Sequence, residues 1–250
     1  MLTKADIKLI RSLKVKKYRK NNAAFIAEGD KIVSELLFSD YEIQAIYCLQ
    51  EWVDTYQGSL RSYKERLHII NSKQLSQISL LKTPNQVLAL AKIPTTNIET
   101  KYFENSYSLV LDKIKDPGNL GTIIRIADWF GFQQIICSPD SVDVYNAKVI
   151  QAAMGSAFRI KCVYQDLSRL FEQYKDIPVY GALLGGETLY KTKIAPNGFI
   201  LIGNESKGIQ STLKPYIDHA IEIPQYGQAE SLNAAVATGI ICAEFRKFLT

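Results

Sequence analysis

The sequence predicts an α/β protein: a parallel sheet with helices on both faces, preceded by a small N-terminal α/β unit. Three observations lead there. Short, almost continuously apolar runs recur through the second part, as expected of strands buried on both faces. Stretches with helical spacing lie between several of them, the alternation that builds parallel sheets. A polar stretch, KIPTTNIETKYFENS (92–106), holding Pro94, marks a boundary between this series and a differently ordered one in front. The chain has 250 residues, 47% of them hydrophobic, enough core for two domains. Residues 1–95 are expected as one domain and 106–250 as the other.

In the front part, LTKADIKLIRSLK (2–14) has Ile7, Ile10 and Leu13 at helical spacing, and EGDKIVSELLF (28–38) is a second amphipathic helix. IQAIYCL (43–49) reads as a strand, WVDTYQGSLRSYKE (52–65) as a helix, LHII (67–70) as a strand and QVLALAKI (86–93) as a closing strand. In the rear part the strands are SLVLD (108–112), QIICS (134–138), IKCVY (160–164), VYGALL (179–184), FILIG (199–203) and AIEIP (220–224). Helical patterns occupy GTIIRIADWF, NAKVIQAAMG and DLSRLFEQY, and a long terminal helix starts at Ser231. Ligands of such sheets bind beyond the carboxyl ends of the strands, which brings the loops after 112, 184, 203 and 224 into one candidate site.

The net charge is +5, and the excess lies in residues 1–100, with fifteen basic side chains against ten acidic. It is densest in RSLKVKKYRK (11–20), where Arg11, Lys14, Lys16, Lys17, Arg19 and Lys20 meet no acid. Such a cluster suits RNA or DNA, and charge alone fits a solvated helix end equally well. Cys48, Cys137, Cys162 and Cys242 sit in apolar runs without metal-type spacing, which predicts buried, reduced thiols in a cytoplasmic protein. With only His68 and His219 as histidines, neither a zinc site nor a histidine-based triad is expected. No apolar run is long enough to span a membrane, and the opening residues have no apolar core of a secretory signal.

Whatever chemistry occurs therefore works with Arg, Asn, Ser and Glu, or with a cofactor that brings its own reactivity. In DKIKDPGNLGTIIRIADWFG (112–131), Asp116-Pro117-Gly118 is turn chemistry and Asn119 can cap the following helix. Arg125 stands among Ile123, Ile124, Ile126 and Ala127, and a buried arginine needs a carboxylate or a phosphate. In FILIGNESKGI (199–209), Glu205 follows the strand end at Gly203; it suits a helix N-terminus or the neutralisation of Arg125. In IPQYGQAESLNAAVATGI (223–240), Ser231 is well placed as an N-cap, and Asn233 offers an amide suited to positioning a hydroxyl or a loop. The helix behind is apolar around most of its circumference, so burial by the sheet and by a second subunit is expected. Neither a dinucleotide-binding nor a P-loop glycine pattern is present.

Taken in order, DPGNLGTIIRIADWFG (116–131), ILIGNESKGI (200–209) and IEIPQYGQAESLNAAVATGI (221–240) resemble the three motifs of the SpoU (TrmH-like) RNA ribose methyltransferases of the SPOUT superfamily. KYRKNNAAFIAEGDKIVSELL (17–37) is similar to the RNA-binding domain that many members carry, so the resemblance implies an RNA substrate-binding domain over 1–95 and a SPOUT methyltransferase catalytic domain over 106–250. The resemblance implies S-adenosyl-L-methionine as methyl donor, a ribose 2′-hydroxyl of RNA as acceptor, a homodimer, no metal, and a C-terminal trefoil knot, a topology that general chain-crossing rules disfavour. It assigns catalytic roles to Asn119, Arg125, Glu205, Ser231 and Asn233. It assigns cofactor contacts to Leu183, Ile202, Gly203, Ile223 and Leu232, and RNA contacts to the six basic residues of 11–20. Ser206 stands where many members have glycine.

The donor's sulfonium is already a strong electrophile, so orientation and electrostatics suffice, in keeping with a site lacking metal and histidine. A guanidinium holds its protons too tightly to act unaided as a base, so Arg125 is expected to bind the RNA phosphate and stabilise developing alkoxide. Ribosomal RNA is the expected acceptor, with transfer RNA second. A non-catalytic RNA-binding dimer is the alternative from another class, and the retained polar set argues against it.

Overall fold

The computed structural model describes residues 2–204 and 206–248. The chain divides into two units; the first takes the sequence up to Thr95 plus Asp143–Phe158, and the second takes Thr96–Val142 and everything from Arg159 onward.

The first unit opens with α1 (Lys4–Ser12), started by a capping box: Thr3 Oγ1 accepts from Asp6 N, and the Asp6 carboxylate accepts from Thr3 N. Then come α2 (Lys16–Asn22), β1 (Ala24–Glu28), α3 (Asp30–Leu37), β2 (Ile43–Cys48), α4 (Gln50–Tyr56), β3 (Leu67–Ile69), α5 (Ser72–Ile78) and β4 (Val87–Lys92). The sheet order is β1-β4-β2-β3, with β4 antiparallel to both neighbours and β3 parallel to β2. Ile10, Leu13, Ile26, Tyr47, Leu75 and Leu88 build the core beneath α1 and α5. Three elements escaped the periodicity argument: α2, which has no apolar stripe, and the short β1 and α5. The helix expected over 52–65 is shorter, because α4 ends ahead of Gly58 and a 3-10 turn occupies Arg61–Arg66.

The rest of the chain supplies β5 (Tyr107–Leu111), α6 (Pro117–Phe130), β6 (Gln134–Cys137), α7 (Ala147–Ala153), β7 (Lys161–Tyr164), α8 (Leu167–Gln173), β8 (Val179–Thr188), β9 (Gly198–Ile202), β10 (His219–Glu222) and α9 (Ala234–Arg246). Of these, α7 packs on β1 in the first unit, where Gln151 Nε2 donates to Glu28 O at 2.6 Å. The second unit's strands lie in the order β10-β8-β9-β5-β6-β7, every neighbouring pair parallel. The expected strands are all present. Phe245 of α9 meets Tyr107 of β5 and Tyr180 of β8 edge-on, each at 5.0 Å, which fixes the helix across the sheet. The four cysteines are buried and free, and burial raises their thiols, to about 11 at Cys48 and about 12 at Cys162. Among the described residues no helix is long and apolar enough to cross a membrane, and no group of His, Cys, Asp or Glu could hold a metal.

One member of the basic run is not at the surface. Arg19 is 2% exposed. Its Nε donates to Asp143 Oδ2 at 2.8 Å, with Nη2 of Arg19 2.6 Å from the same oxygen; Nη1 donates to the carbonyls of Leu13 at 2.7 Å and Lys14 at 3.0 Å. Arg19 thus fastens α2 to the end of α1, and of the six basic residues expected at an RNA surface only Arg11, Lys14, Lys16, Lys17 and Lys20 are exposed. Breaking one side of a buried pair strands the other charge. Arg19→Met is expected to lower unfolding free energy by roughly 3 kcal/mol, read from the urea midpoint; a loss below about 1 kcal/mol would place the pair in the range of exposed ion pairs.

Candidate active site

Because the second sheet is parallel, β10, β8, β9 and β5 deliver their carboxyl ends to one edge. Each loop there has a local reason for its path. After β5, Lys113 adopts a left-handed conformation, φ +54°, with its N donating to Ser138 Oγ at 2.9 Å. The helix cap is Asp116, not Asn119: the Asp116 side chain accepts from Asn119 N at 2.8 Å, and Pro117 fills the first helical position. An Asp-Pro pair ahead of an apolar helix is the signal that identifies this cap. Asn119 keeps its side chain for another partner.

That partner is Asn233. Its Nδ2 donates to Asn119 Oδ1 at 2.9 Å, while its Oδ1 accepts from Ala235 N at 2.9 Å and from Val236 N at 3.4 Å. Asn233, not Ser231, is therefore the N-cap of α9. Ser231 and Leu232 lie exposed in the preceding loop, which the Gln225 side chain brackets by donating to the carbonyls of Gly227 and Ala229, both at 2.9 Å. One amide thus starts a helix and joins two sequence motifs 114 positions apart.

The loop after β9 is built on close backbone approach. A Cβ on Gly203 would come within 2.3 Å of the Gly208 carbonyl carbon, so only glycine fits. Asn204 and Gly208 exchange backbone hydrogen bonds of 3.1 and 2.9 Å, and Asn204 Nδ2 donates to Lys113 O at 2.9 Å. Glu205 lies outside the described residues. The loop expected after 184 is instead the continuation of β8, where a Cβ on Gly186 would come within 2.7 Å of Ala220 O on β10, so this glycine serves strand contact, and Gly185 takes a left-handed φ of +76°.

The apolar residues at this edge are Ile202, buried; Leu183 and Ile223, half-buried; and Leu232, exposed. Leu184 and Tyr226 are open as well, the latter 92% exposed. Apolar walls beside glycine backbone suit a flat, uncharged group such as a nucleobase. Arg125, expected inside α6, is exposed. Ile123, Ile124 and Ala127 take the buried faces, leaving Thr122, Arg125 and Trp129 outward, with Trp129 84% exposed. The Arg125 side chain thus faces away from the core. Sequence reasoning missed Asp112, Asn204 and Gln210, which hold the loops and whose partners are distant in the chain.

The model of the SpoU rRNA Methylase family matches residues 106–243, and that of the MRM3-like substrate binding domain matches residues 4–89. RlmP of Bacillus subtilis (strain 168), a 23S rRNA (guanosine(2553)-2′-O)-methyltransferase, is 31% identical over 239 residues, 94% of each chain. A solved structure of a TrmH-family protein from Porphyromonas gingivalis is 32% identical with a TM-score of 0.88 over 99% of both chains. An AdoMet-bound rRNA methyltransferase from Sinorhizobium meliloti is 28% identical with a TM-score of 0.85, over 100% of this chain and 97% of that one.

Asn233→Ala removes the cap and the bond to Asn119 together, and is expected to cost about 1–2 kcal/mol of stability. Asn233→Ser restores a capping oxygen but not the reach to Asn119, so it should recover the larger share in the same denaturation experiment. Equal losses in the two variants would show that the cap is not what Asn233 supplies.

Proposed function

This chain belongs to the SpoU rRNA methylase family, and on that footing we propose that it transfers the methyl group of S-adenosylmethionine to a ribose 2′-hydroxyl of ribosomal RNA. The observation that carries this reading is the Asn119–Asn233 hydrogen bond, which joins the first and third motif stretches. The names of the B. subtilis and S. meliloti relatives support the RNA class and the cofactor.

When bound, S-adenosylmethionine supplies a methyl group already activated on a sulfonium, so the chain's task is placement and charge. Leu183, Ile202, Gly203, Ile223 and Leu232 would hold it, matching the apolar, glycine-lined edge. Asn233 positions the first-motif loop through Asn119, and Ser231 belongs to the loop that closes over the same edge. Arg125 grips an RNA phosphate and stabilises the sugar oxygen as its negative charge develops. Glu205 orients that guanidinium.

The working unit in this reading is a homodimer, with a trefoil knot in the C-terminal segment, acting in the cytoplasm. Two adjacent helices support the dimer. On α9, Val236, Ile240 and Ala243 form a stripe at helical spacing with Val236 and Ala243 exposed. On α6, which packs on α9, Trp129 and Arg125 point outward. An apolar stripe of this kind is a protein-contact surface, and a second copy laid on it would cover Trp129 and bring side chains next to Arg125.

Isothermal titration with S-adenosylmethionine is expected to give saturable heat, and its absence would leave the RNA-binding dimer as the reading. Arg125→Lys keeps the charge and loses the fork, so turnover should fall about 10²-fold with cofactor binding intact; near-wild-type turnover would remove Arg125 from the chemistry. Val236→Glu should convert a dimer to a monomer in sedimentation velocity, and a monomeric wild type would overturn the assembly.

A further inference from the structure

From Ile7 to Ala27 the chain has no acidic residue, and within 11–20 it has a single aromatic, Tyr18. Arg19 points inward, into its ion pair with Asp143. At 100° per residue this fixes the rest of the helix: Lys17 points most nearly away from Arg19, and Tyr18 and Lys20 stand on opposite flanks. Tyr18 is 46% exposed, and Val15, immediately before the helix, is 51% exposed. Every other strongly exposed aromatic among the described residues has an acid within four positions: Phe38 has Asp40, Trp129 has Asp128, Tyr190 has Glu187, Tyr226 has Glu230 and Phe248 has Glu244. Tyr18 alone among these six stands in a run of cations with its nearest acids as far off as Asp6 and Glu28.

Phosphate attraction accounts for the lysines but not for the ring. A continuous RNA duplex presents phosphates, 2′-hydroxyls and base edges, and keeps its base faces stacked inside. An unpaired strand presents base faces, and an aromatic side chain flanked by cations matches base face and backbone together. The buried Arg19 pair holds the helix that carries the ring, so little ordering is needed on binding.

We propose that Tyr18 is a stacking platform for an unpaired nucleotide, with Arg11, Lys14 and Lys17 holding the adjoining phosphates, so that the first unit selects a loop, bulge or single strand over continuous duplex. This rests on the RNA-methyltransferase reading and narrows its substrate class.

The test uses the full chain with two probes, a 12-nucleotide oligoadenylate and a 12-base-pair RNA duplex, by fluorescence anisotropy across a potassium chloride series. Tyr18→Ala should weaken oligoadenylate binding about tenfold or more with an unchanged slope of log affinity against log salt, and leave duplex binding nearly unaltered. Tyr18→Phe should bind as wild type. Lys17→Ala should instead reduce the salt slope on oligoadenylate by about 0.7. Wild-type affinity in Tyr18→Ala, or equal losses on both probes, overturns the stacking role while RNA binding and S-adenosylmethionine heat in the wild type leave the enzyme reading standing. A wild type that binds neither probe overturns the inference, and with no S-adenosylmethionine heat it overturns the underlying reading too.

Discussion

The loop after β9 is held by the loop after β5, and the carboxyl edge of the large sheet depends on that fastening. Asp112, fully buried at the end of β5, accepts from Gln210 N at 2.8 Å through one oxygen and from Gln210 Nε2 through the other. A carboxylate in that position is tolerable only when its oxygens are hydrogen-bonded, and here the bonding partner is the far side of the 203–210 loop. Asn204 closes the near side through Lys113 O, and its Oδ1 accepts from Ser206 N at 3.0 Å and Lys207 N at 3.2 Å. With both ends tied, Gly203 can run against Gly208 at a separation no side chain would permit. The apolar wall at Ile202 is thereby held at a fixed place relative to α6 and the asparagine pair.

The sheet was legible in the sequence for a physical reason. Strands buried on both faces read as unbroken apolar runs, and β5, β6 and β9 are buried throughout. Their parallel pairing then puts four loops on one edge without further information. Caps were less legible. Ser231 and Asn233 both have capping side chains, and the choice is made by a tertiary partner, Asn119, that no local pattern reveals. In the first unit, α2 went unread because its exposed face is charge and its inward anchor is an arginine, whose countercharge lies 124 positions away.

The two arginines show why charge alone misleads. Arg19 sits in a run of cations and looked like part of a polyanion surface, yet it is buried because Asp143 and two carbonyls complete its hydrogen bonding within one unit. Arg125 sits among isoleucines and looked buried, yet it faces outward because Ile123, Ile124 and Ala127 already occupy the inward faces of α6. Hydrophobic neighbours in sequence are neighbours around a helix only at the third and fourth positions, so an apolar run is compatible with one polar stripe. A guanidinium is held inside where acceptors converge on it from several directions and stays at the surface otherwise. By that criterion the inward arginine is committed to holding the fold, and the outward one is not. The lysines and Tyr18 around Arg19 owe their outward aim to the same ion pair, so in the first unit a structural charge pair sets which side chains of α2 face solvent.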